Sequence, residues 1–226
     1  MNCIIVIHVA ILDGYKERLL NFINLINRSG LITITKNIYI CSVGNYNEID
    51  LNDLMLDNKK IILKHVSNDI SVYELYTLQF LYEYAKELRE EDCNILYLHT
   101  KGVGRENNEC IEDWIKYLCY FNIIKWKDCI NYLLEYKTCG IDLRDFVSLH
   151  YSGNFWWAKA SHIRTLIEPI KFTFKDYPNS LNSERHNQEF WVCYDKNLKN
   201  HKSMWDCGIP CLERHRHRYT SDKYIM

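Results

Sequence analysis

The sequence lacks the features that would place it in a membrane, in the secretory pathway or on a nucleic acid. No apolar run reaches the roughly 18 residues that a membrane-spanning helix needs. The segment Met1 to His8 has neither the positive start nor the cleavage site of a signal peptide. The formal net charge of −1 provides no overall field that would attract nucleic acid or an anionic membrane. We therefore expect a cytoplasmic protein with no transmembrane segment and no nucleic-acid partner.

Internal repeats, low-complexity stretches and linkers are also missing. A chain of 226 residues without these features is expected to form one domain over residues 1–226, and it is long enough to bury a substantial core. The ten cysteines would indicate disulfides in a small secreted protein, but here they are expected to be mostly reduced and buried. The 17 tyrosines are expected mainly in the core.

The first half of the chain alternates between two hydrophobic periodicities. Apolar runs predict four strands, at Cys3 to Ala10, Asn37 to Val43, Lys60 to Val66 and Asn94 to His99. Helical spacing lies between them, at Tyr15 to Asn27 and from Val72 to about Leu88. Ser71 is a candidate N-cap of the second helix, and Glu74 follows three residues later, as in a capping box. The order βαββαβ predicts a Rossmann-like, mainly parallel α/β sheet flanked by helices.

The second half of the chain is predicted with shorter elements. A long helix with one break is expected from Cys110 to Tyr136, followed by a turn and a short strand from Thr138 to Ser148. The remaining predictions are a strand from Tyr151 to Ala158, a helix from Ala160 to Ile167, a loop from Pro169 to Ser183, a helix beginning at Gln188 and an irregular segment after Asn197.

Three short segments place chemically capable residues at the edge of strongly apolar stretches. They are Asn94 to Gly102, His150 to Trp157 and Asn187 to Val192. Open α/β sheets bind their ligands outside the carboxyl ends of their strands, where apolar strands run into polar loops. The three segments therefore predict one active site at that edge of the sheet.

The first of these segments ends in His99-Thr100-Lys101-Gly102, which has the properties of a phosphate site. Lys101 supplies a positive charge, and Thr100 supplies a hydrogen-bond donor. Gly102 lets the backbone approach a ligand closely, and His99 is suited either to donate to a phosphate or to ligate a metal. The alternative is an ordinary exit from a strand, with Lys101 in solvent.

The order and spacing of the three segments resemble the nucleotide-sugar-dependent glycosyltransferases of the GT-A fold. The segment His-Thr-Lys-Gly is similar to one in glycosyltransferase-like proteins that include some from large DNA viruses. In GT-A enzymes the fourth strand ends in Asp-x-Asp, whose carboxylates bind Mn²⁺ or Mg²⁺. That motif is absent here, so the resemblance leaves the metal cofactor open. It implies a nucleotide-sugar donor, with UDP- or GDP-sugars favoured, and a glycan or glycoconjugate acceptor.

The second segment is similar to the GT-A strand whose start faces the donor sugar. The resemblance implies that Ser152 and Gly153 border the sugar and that Asn154 offers its amide to sugar hydroxyls. Trp156 or Trp157 would stack on a sugar ring while the other belongs to the core, and the alternative is that both are core residues.

The resemblance also implies a position for the nucleotide. His8, Val9 and Ala10 lie where GT-A folds hold the base. Glu74 would face the ribose or the sugar, and the capping box is the alternative role for its carboxylate.

The third segment resembles the acidic helix start that carries the general base of inverting GT-A enzymes. Glu189 is the first choice for this base and Glu184 the second. The alternative for Glu189 is an acid that interacts with the positive end of the helix dipole. The resemblance favours inversion and leaves a retaining mechanism open, because retaining GT-A families share the same order of motifs. A catalytically inactive nucleotide-sugar or glycan-binding module is the alternative function.

The carboxy-terminal run offers metal ligands. Cys207, Cys211, His215 and His217 permit a zinc site. The resemblance offers a second role, in which His215 or His217 contacts the catalytic metal or the diphosphate, aided by Arg214, Arg216 and Arg218. A solvated basic tail is the third reading. Asp142 and Asp145 are a further acidic pair, for which a turn and a metal site are both open.

Overall fold

A computed structural model describes residues 3–49, 51, 59–89, 91–104, 108–173, 183–195, 197–210 and 212–225. Its strands are β1 (Cys3–Ala10), β2 (Thr35–Val43), β3 (Ile61–Ser67), β4 (Asn94–His99), β5 (Thr138–Gly140), β6 (Leu143–Phe146), β7 (Ser148–Tyr151), β8 (Trp156–Lys159) and β9 (His201–Ser203).

The helices fill the connections between these strands. They are α1 (Tyr15–Arg28), α2 (Leu75–Glu87), α3 (Glu109–Cys119), α4 (Trp126–Glu135), α5 (Ala160–Ile163) and α6 (Ser183–Phe190). One turn of π-helix, Tyr120–Ile124, separates α3 from α4. The predicted break in the long helix is confirmed at this point.

Seven strands form one sheet in the order β3-β2-β1-β4-β8-β5-β9. The pairs among β1 to β4 are all parallel, whereas β8 is antiparallel to both of its neighbours. Strands β6 and β7 form a separate hairpin. The predicted mixed, mainly parallel α/β architecture is therefore confirmed.

The sheet separates two core layers because successive side chains of a strand point to opposite faces. Ile5 and Ile7 of β1 belong to the layer that packs with α1, α3 and α4. Ile4 and Val6 belong to the layer that packs with α2 and α6. Burial on both faces explains why β1 is a continuous apolar run.

The predicted capping box before α2 is wrong. The carboxylate of Asp69 accepts hydrogen bonds from the backbone and the hydroxyl of Ser71, at 2.8 and 2.7 Å, and so caps a short 3₁₀ turn. Tyr73 then has a left-handed backbone with φ of 50°, which interrupts helical geometry. Helix α2 consequently begins at Leu75, and the Glu74 side chain does not cap it.

The single strand predicted from Tyr151 to Ala158 is also wrong. Gly153 and Asn154 have φ values of 95° and 55°, and two consecutive left-handed residues end a strand. The chain therefore forms β7, a tight turn and β8. Helix α5 is shorter than predicted, and α6 begins before Gln188.

Two other features bear on the class of protein. No helix in the described residues is long and apolar enough to cross a bilayer. The nine described cysteines are free thiols, and seven of them are buried, as the sequence predicted.

Candidate functional site

A cleft of about 780 Å³ opens at the carboxyl ends of β1 and β4. From β1 the chain proceeds through β2 and β3 on one side and then crosses to β4 on the other side. Such a reversal of strand order leaves a crevice in which α/β proteins bind ligands. The lining includes parts of all three polar segments, namely His99 to Gly102, Ser152 with Gly153, and Gln188 with Glu189.

Thr100 joins the ends of the two central strands. Its backbone N–H donates to the carbonyl of His8 at 2.9 Å, and its hydroxyl accepts from the N–H of Ala10 at 3.1 Å. The cleft therefore rests on a rigid floor. Gly102 follows with φ of 83°, and a Cβ there would lie 2.8 Å from Ile111 Cγ2, so only glycine fits without a shift.

Lys101 and Trp114 form a pair on the wall of the cleft. The ammonium nitrogen of Lys101 lies 3.8 Å from the centroid of the Trp114 ring. A cation held over an aromatic face at this distance is stabilised by the quadrupole of the ring. Both side chains line the cleft, so the positive charge stays beside the open volume.

Both ring nitrogens of His99 face oxygen atoms of the protein. Its Nε2 lies 2.9 Å from the carbonyl oxygen of Gly153, which only accepts, so Nε2 is the donor. Its Nδ1 lies 3.5 Å from Oε1 of Glu74. The Nε2 of His99 is therefore engaged by the backbone of the β7–β8 turn, and its Nδ1 faces the carboxylate of Glu74.

Glu74 is held at the cleft by residues from three parts of the chain. Its Oε2 accepts from Nδ2 of Asn154 at 2.6 Å, and its backbone N–H donates to the side chain of Gln188 at 2.5 Å. Asn154 also accepts from the indole of Trp156 at 2.9 Å. The predicted contact between Asn154 and sugar hydroxyls is therefore corrected, since the buried amide positions Glu74 instead.

Ser152 and Gly153 do line the cleft, as the sequence predicted. A Cβ on Gly153 would lie 3.0 Å from Leu118 Cδ1 and 3.2 Å from the ring of Trp114, which explains why this position is a glycine. The close approach lets α3 pack directly under the turn between β7 and β8.

Neither Trp156 nor Trp157 is able to stack on a ligand, which corrects the predicted role in sugar binding. Trp156 is 1% exposed and stacks on Tyr97 at 4.7 Å, and Trp157 is 0% exposed. The exposed aromatic side chains of the cleft are Tyr73 and Phe146, at 37% and 44%. The sequence did not identify them because their exposure depends on tight turns.

Glu189 lines the cleft, but it lies in the last turn of α6 and not at the helix start that was predicted. Phe190 and Trp191, which follow it, are 3% and 0% exposed and hold this helix end against the core. Burial lowers the pKa of nearby His150, and the negative charge of Glu189 partly opposes this effect.

Glu184 also lies on α6, but its side chain is outside the described part of the chain. His150 and His186 line the cleft and were missed by the sequence reading.

His8 and its neighbours occupy different environments. His8 is buried at the floor, its Nδ1 lies 2.8 Å from the hydroxyl of Thr77, and desolvation lowers its pKa to about 3. It is therefore neutral at physiological pH. Ala10 lines the cleft, whereas Val9 is 0% exposed and lies outside the lining, so its predicted place at the nucleotide is corrected.

The two histidines of the carboxy-terminal run lie in different places, one at the cleft and one outside it. His215 lines the cleft, and its Nε2 accepts from Arg216 at 3.2 Å. His217 is exposed, lies 3.3 Å from Glu213 and does not line the cleft, so its predicted role there is corrected. The zinc hypothesis depends on Cys211, which lies outside the described residues.

A metal-compatible group in the described residues is Asp142, Asp206 and Cys207, whose ligand atoms lie within 4.8 Å of one another. It lies outside the lining of the cleft. The guanidinium of Arg144 forms ion pairs with both carboxylates and so already supplies the positive charge. Neither His99 nor His215 belongs to a three-ligand group in the part of the chain that is described.

The fold and this cleft define an α/β protein with a cleft at the point where the strand order of its sheet reverses. The chain belongs to the family described as Domain of unknown function (DUF8361), whose model matches residues 20–205. A search of curated proteins finds no match.

Proposed function

We propose that the protein is a glycosyltransferase of the GT-A fold that transfers a sugar from a nucleotide sugar to an acceptor hydroxyl. The observation that carries the proposal is the convergence of three distant polar segments on one cleft where the strand order reverses. The volume of about 780 Å³ is in the range of sites that enclose a small organic ligand.

The donor occupies the β1–β4 side of the cleft in this proposal. Ala10 and the floor over His8 border the nucleoside, as in other switch-point sites. Lys101 faces the diphosphate, and Ser152 with Gly153 borders the sugar. The left-handed backbone of Tyr73, Val147 and Asn154 supports a functional site here, because such strain is concentrated where a fold must hold an unusual geometry.

Glu189 acts as the general base. The acceptor oxygen forms a bond to the anomeric carbon, and the bond from that carbon to the diphosphate oxygen breaks. The nucleoside diphosphate leaves with the bonding electron pair, and the hydroxyl proton passes to the Glu189 carboxylate. A base positioned in this way typically contributes about 10²- to 10⁴-fold to the rate.

The first test is thermal stabilisation by UDP-, GDP-, dTDP- and CMP-sugars. A donor at about 100 times its dissociation constant adds about 2.7 kcal/mol to the stability, which raises Tm by roughly 5–10 °C for a chain of this size. If no donor raises Tm, the proposed donor site is wrong.

The second test is Glu189→Gln. We expect transfer to fall by at least about 100-fold while the Tm shift by the donor is preserved, because the amide keeps the shape but cannot take the proton. Glu213→Gln, at an exposed acid outside the cleft, is the matched control and should leave both unchanged. Donor binding without transfer in the wild type would favour the inactive binding module.

A further inference from the structure

We propose that the cleft binds the diphosphate of the donor through the ammonium of Lys101 without a divalent metal ion, and that the buried cation Arg214, beside the same Trp114 ring, strengthens the attraction from behind the wall of the cleft. This inference rests on the proposed function, because it names how that same donor site meets the charge of its ligand. Two independent observations support it: the ligands available to a metal, and the environment of Arg214.

The described residues that line the cleft do not form a cluster of carboxylates for Mn²⁺ or Mg²⁺. These hard cations are held by oxygen ligands, chiefly carboxylates. Among the described residues that line the cleft, the carboxylates are Glu74 and Glu189. Glu74 is engaged on both oxygens, by Asn154 and by His99. Among the described lining residues, Glu189 is then the one carboxylate left, and the proposed function already uses it for the acceptor proton.

Arg214 has an unusual environment for a buried cation. It is 0% exposed, and its Nε and Nη2 have no hydrogen-bond partner among the described residues. Its Nη1 donates to the carbonyl of His217 at 3.2 Å. In the part of the chain that is described, no carboxylate forms an ion pair with it. A buried charge without a counterion is costly, so a site that leaves Arg214 uncompensated is suited to receive an anion.

Three other arginines that are at least partly buried or near the tail each have a carboxylate partner. Arg18 forms an ion pair with Glu112, and Arg144 pairs with Asp206. The neighbouring tail residue Arg218 pairs with Asp113 and Glu109. Arg214 instead lies among aromatic rings, with its guanidinium carbon 5.2 to 5.6 Å from the centroids of Tyr219, Tyr117 and Trp114.

Trp114 connects the buried guanidinium to the cleft. Its ring lies 3.8 Å from the Lys101 ammonium and 5.6 Å from the Arg214 guanidinium carbon. Lys101, Trp114 and the tail residue His215 line the cleft. Charge behind a low-dielectric wall is weakly screened, so Arg214 adds to the attraction that Lys101 exerts on an anion. The wall of the cleft therefore carries the positive charge of Lys101 at its surface and that of Arg214 behind it.

The test measures binding of uridine and guanosine diphosphate to the intact chain by calorimetry, once in EDTA and once in Mn²⁺. We expect dissociation constants that agree within about twofold in the two buffers. Lys101→Met should weaken binding in EDTA by about tenfold or more, as expected for the loss of a contact to a charged group. Lys101→Arg should retain most of the affinity.

Lys127→Met is the matched control. Lys127 also lies over a tryptophan, 5.7 Å from the ring of Trp126, but outside the cleft. This variant should leave binding unchanged. Arg214→Met should weaken binding by about threefold or more. Because this substitution alters a buried residue, thermal melting must first show that the variant folds. If it does not fold, the Lys101 variants alone test the inference.

Binding that disappears in EDTA and returns with Mn²⁺ would overturn the inference, and so would an unchanged affinity in Lys101→Met. Inorganic pyrophosphate separates this outcome from a failure of the proposed function. If pyrophosphate binds in EDTA and depends on Lys101 while no nucleotide or nucleotide sugar binds, the anion site stands and the glycosyltransferase proposal fails. If neither pyrophosphate nor any nucleotide binds, both are wrong.

Discussion

Two histidine–carboxylate pairs lie in different parts of the molecule, one at the cleft and one at the far edge of the sheet. At the cleft, His99 Nδ1 lies 3.5 Å from Glu74, and each side chain is 14% exposed. At the edge, His201 Nε2 lies 2.5 Å from Asp195, and the histidine side chain is 0% exposed. The same two functional groups thus form one pair that borders the cleft and another whose histidine is fully buried.

The edge pair is part of a chain of hydrogen bonds away from the cleft. The second nitrogen of His201 lies 2.7 Å from the hydroxyl of Thr138, and Asn200 donates to Asp195 at 2.6 Å. The cleft pair has a longer contact and borders open volume. The comparison teaches that proximity of a histidine and a carboxylate does not identify a functional site. Adjacent open space distinguishes the pair that is available to a ligand.

The largest effect expected from this comparison is on activity. Glu74→Gln should lower transfer by about 10²-fold, because loss of its charge releases His99 and shifts the floor of the site, and small misplacements of a site have effects of this size. Asp195→Asn should leave the activity per folded molecule unchanged. The measurement is kcat and KM for both variants, with the folded fraction taken from thermal melting. Equal loss of activity in both variants would contradict the assignment of the two pairs.

The next effect is on stability, and it should be concentrated at the edge pair. His201→Ala leaves Thr138 and Asp195 without their buried partner, which should cost about 2–3 kcal/mol. His217→Ala removes an exposed histidine that pairs with Glu213, and it should change the stability by less than about 0.5 kcal/mol. Urea unfolding of the two variants measures this difference. A loss below about 1 kcal/mol for His201→Ala would mean that the closed pair does not stabilise the fold.

Acid should destabilise both regions. Burial lowers the pKa of His8 and His150 at the cleft and of His162 and His201 at the edge. Because these folded-state pKa values lie below the unfolded value of about 6.5, the unfolded chain binds more protons, and stability is lost as the pH falls below 6.5.

His8 allows a numerical expectation for this pH dependence. Its pKa of about 3 implies that it contributes a loss of about 2 kcal/mol between pH 6.5 and pH 5. His8→Gln should flatten the dependence of Tm on pH over this range. An unchanged slope in His8→Gln would contradict the assignment of a neutral, buried His8.

Features that depend on local sequence were predicted well, whereas features that depend on contacts between distant residues were not. Strands β1 and β4 were predicted to the residue, since burial on both faces produces an uninterrupted apolar run. The meeting of the three polar segments at one cleft was also predicted, because parallel strands bring their carboxyl ends together. The roles of individual residues were not, since they depend on long-range partners: Asn154 binds Glu74, 80 positions away, and Gln188 binds the backbone of Glu74, 114 positions away.

The other wrong predictions concern segments that contain tight turns. The smallest effect that we expect comes from substituting two residues with a left-handed backbone. Val147, beside the cleft, has φ of 65°, and Arg89, at the end of α2, has φ of 51°. Arg89→Gly should stabilise the protein by about 0.5–1 kcal/mol without altering transfer, because glycine is the favoured residue after a helix end.

Val147→Gly should stabilise less than Arg89→Gly, because relief of the strained backbone is offset by lost packing of a half-buried side chain. It should also lower transfer severalfold, since a looser hairpin no longer fixes the exposed ring of Phe146 at the cleft. Tm and kcat/KM for both variants measure the contrast. If Val147→Gly raises stability and leaves transfer intact, the strain at the hairpin has no function. If it lowers both the stability and the transfer rate, the packing of Val147 outweighs its backbone strain, and side-chain contacts rather than backbone geometry fix the hairpin.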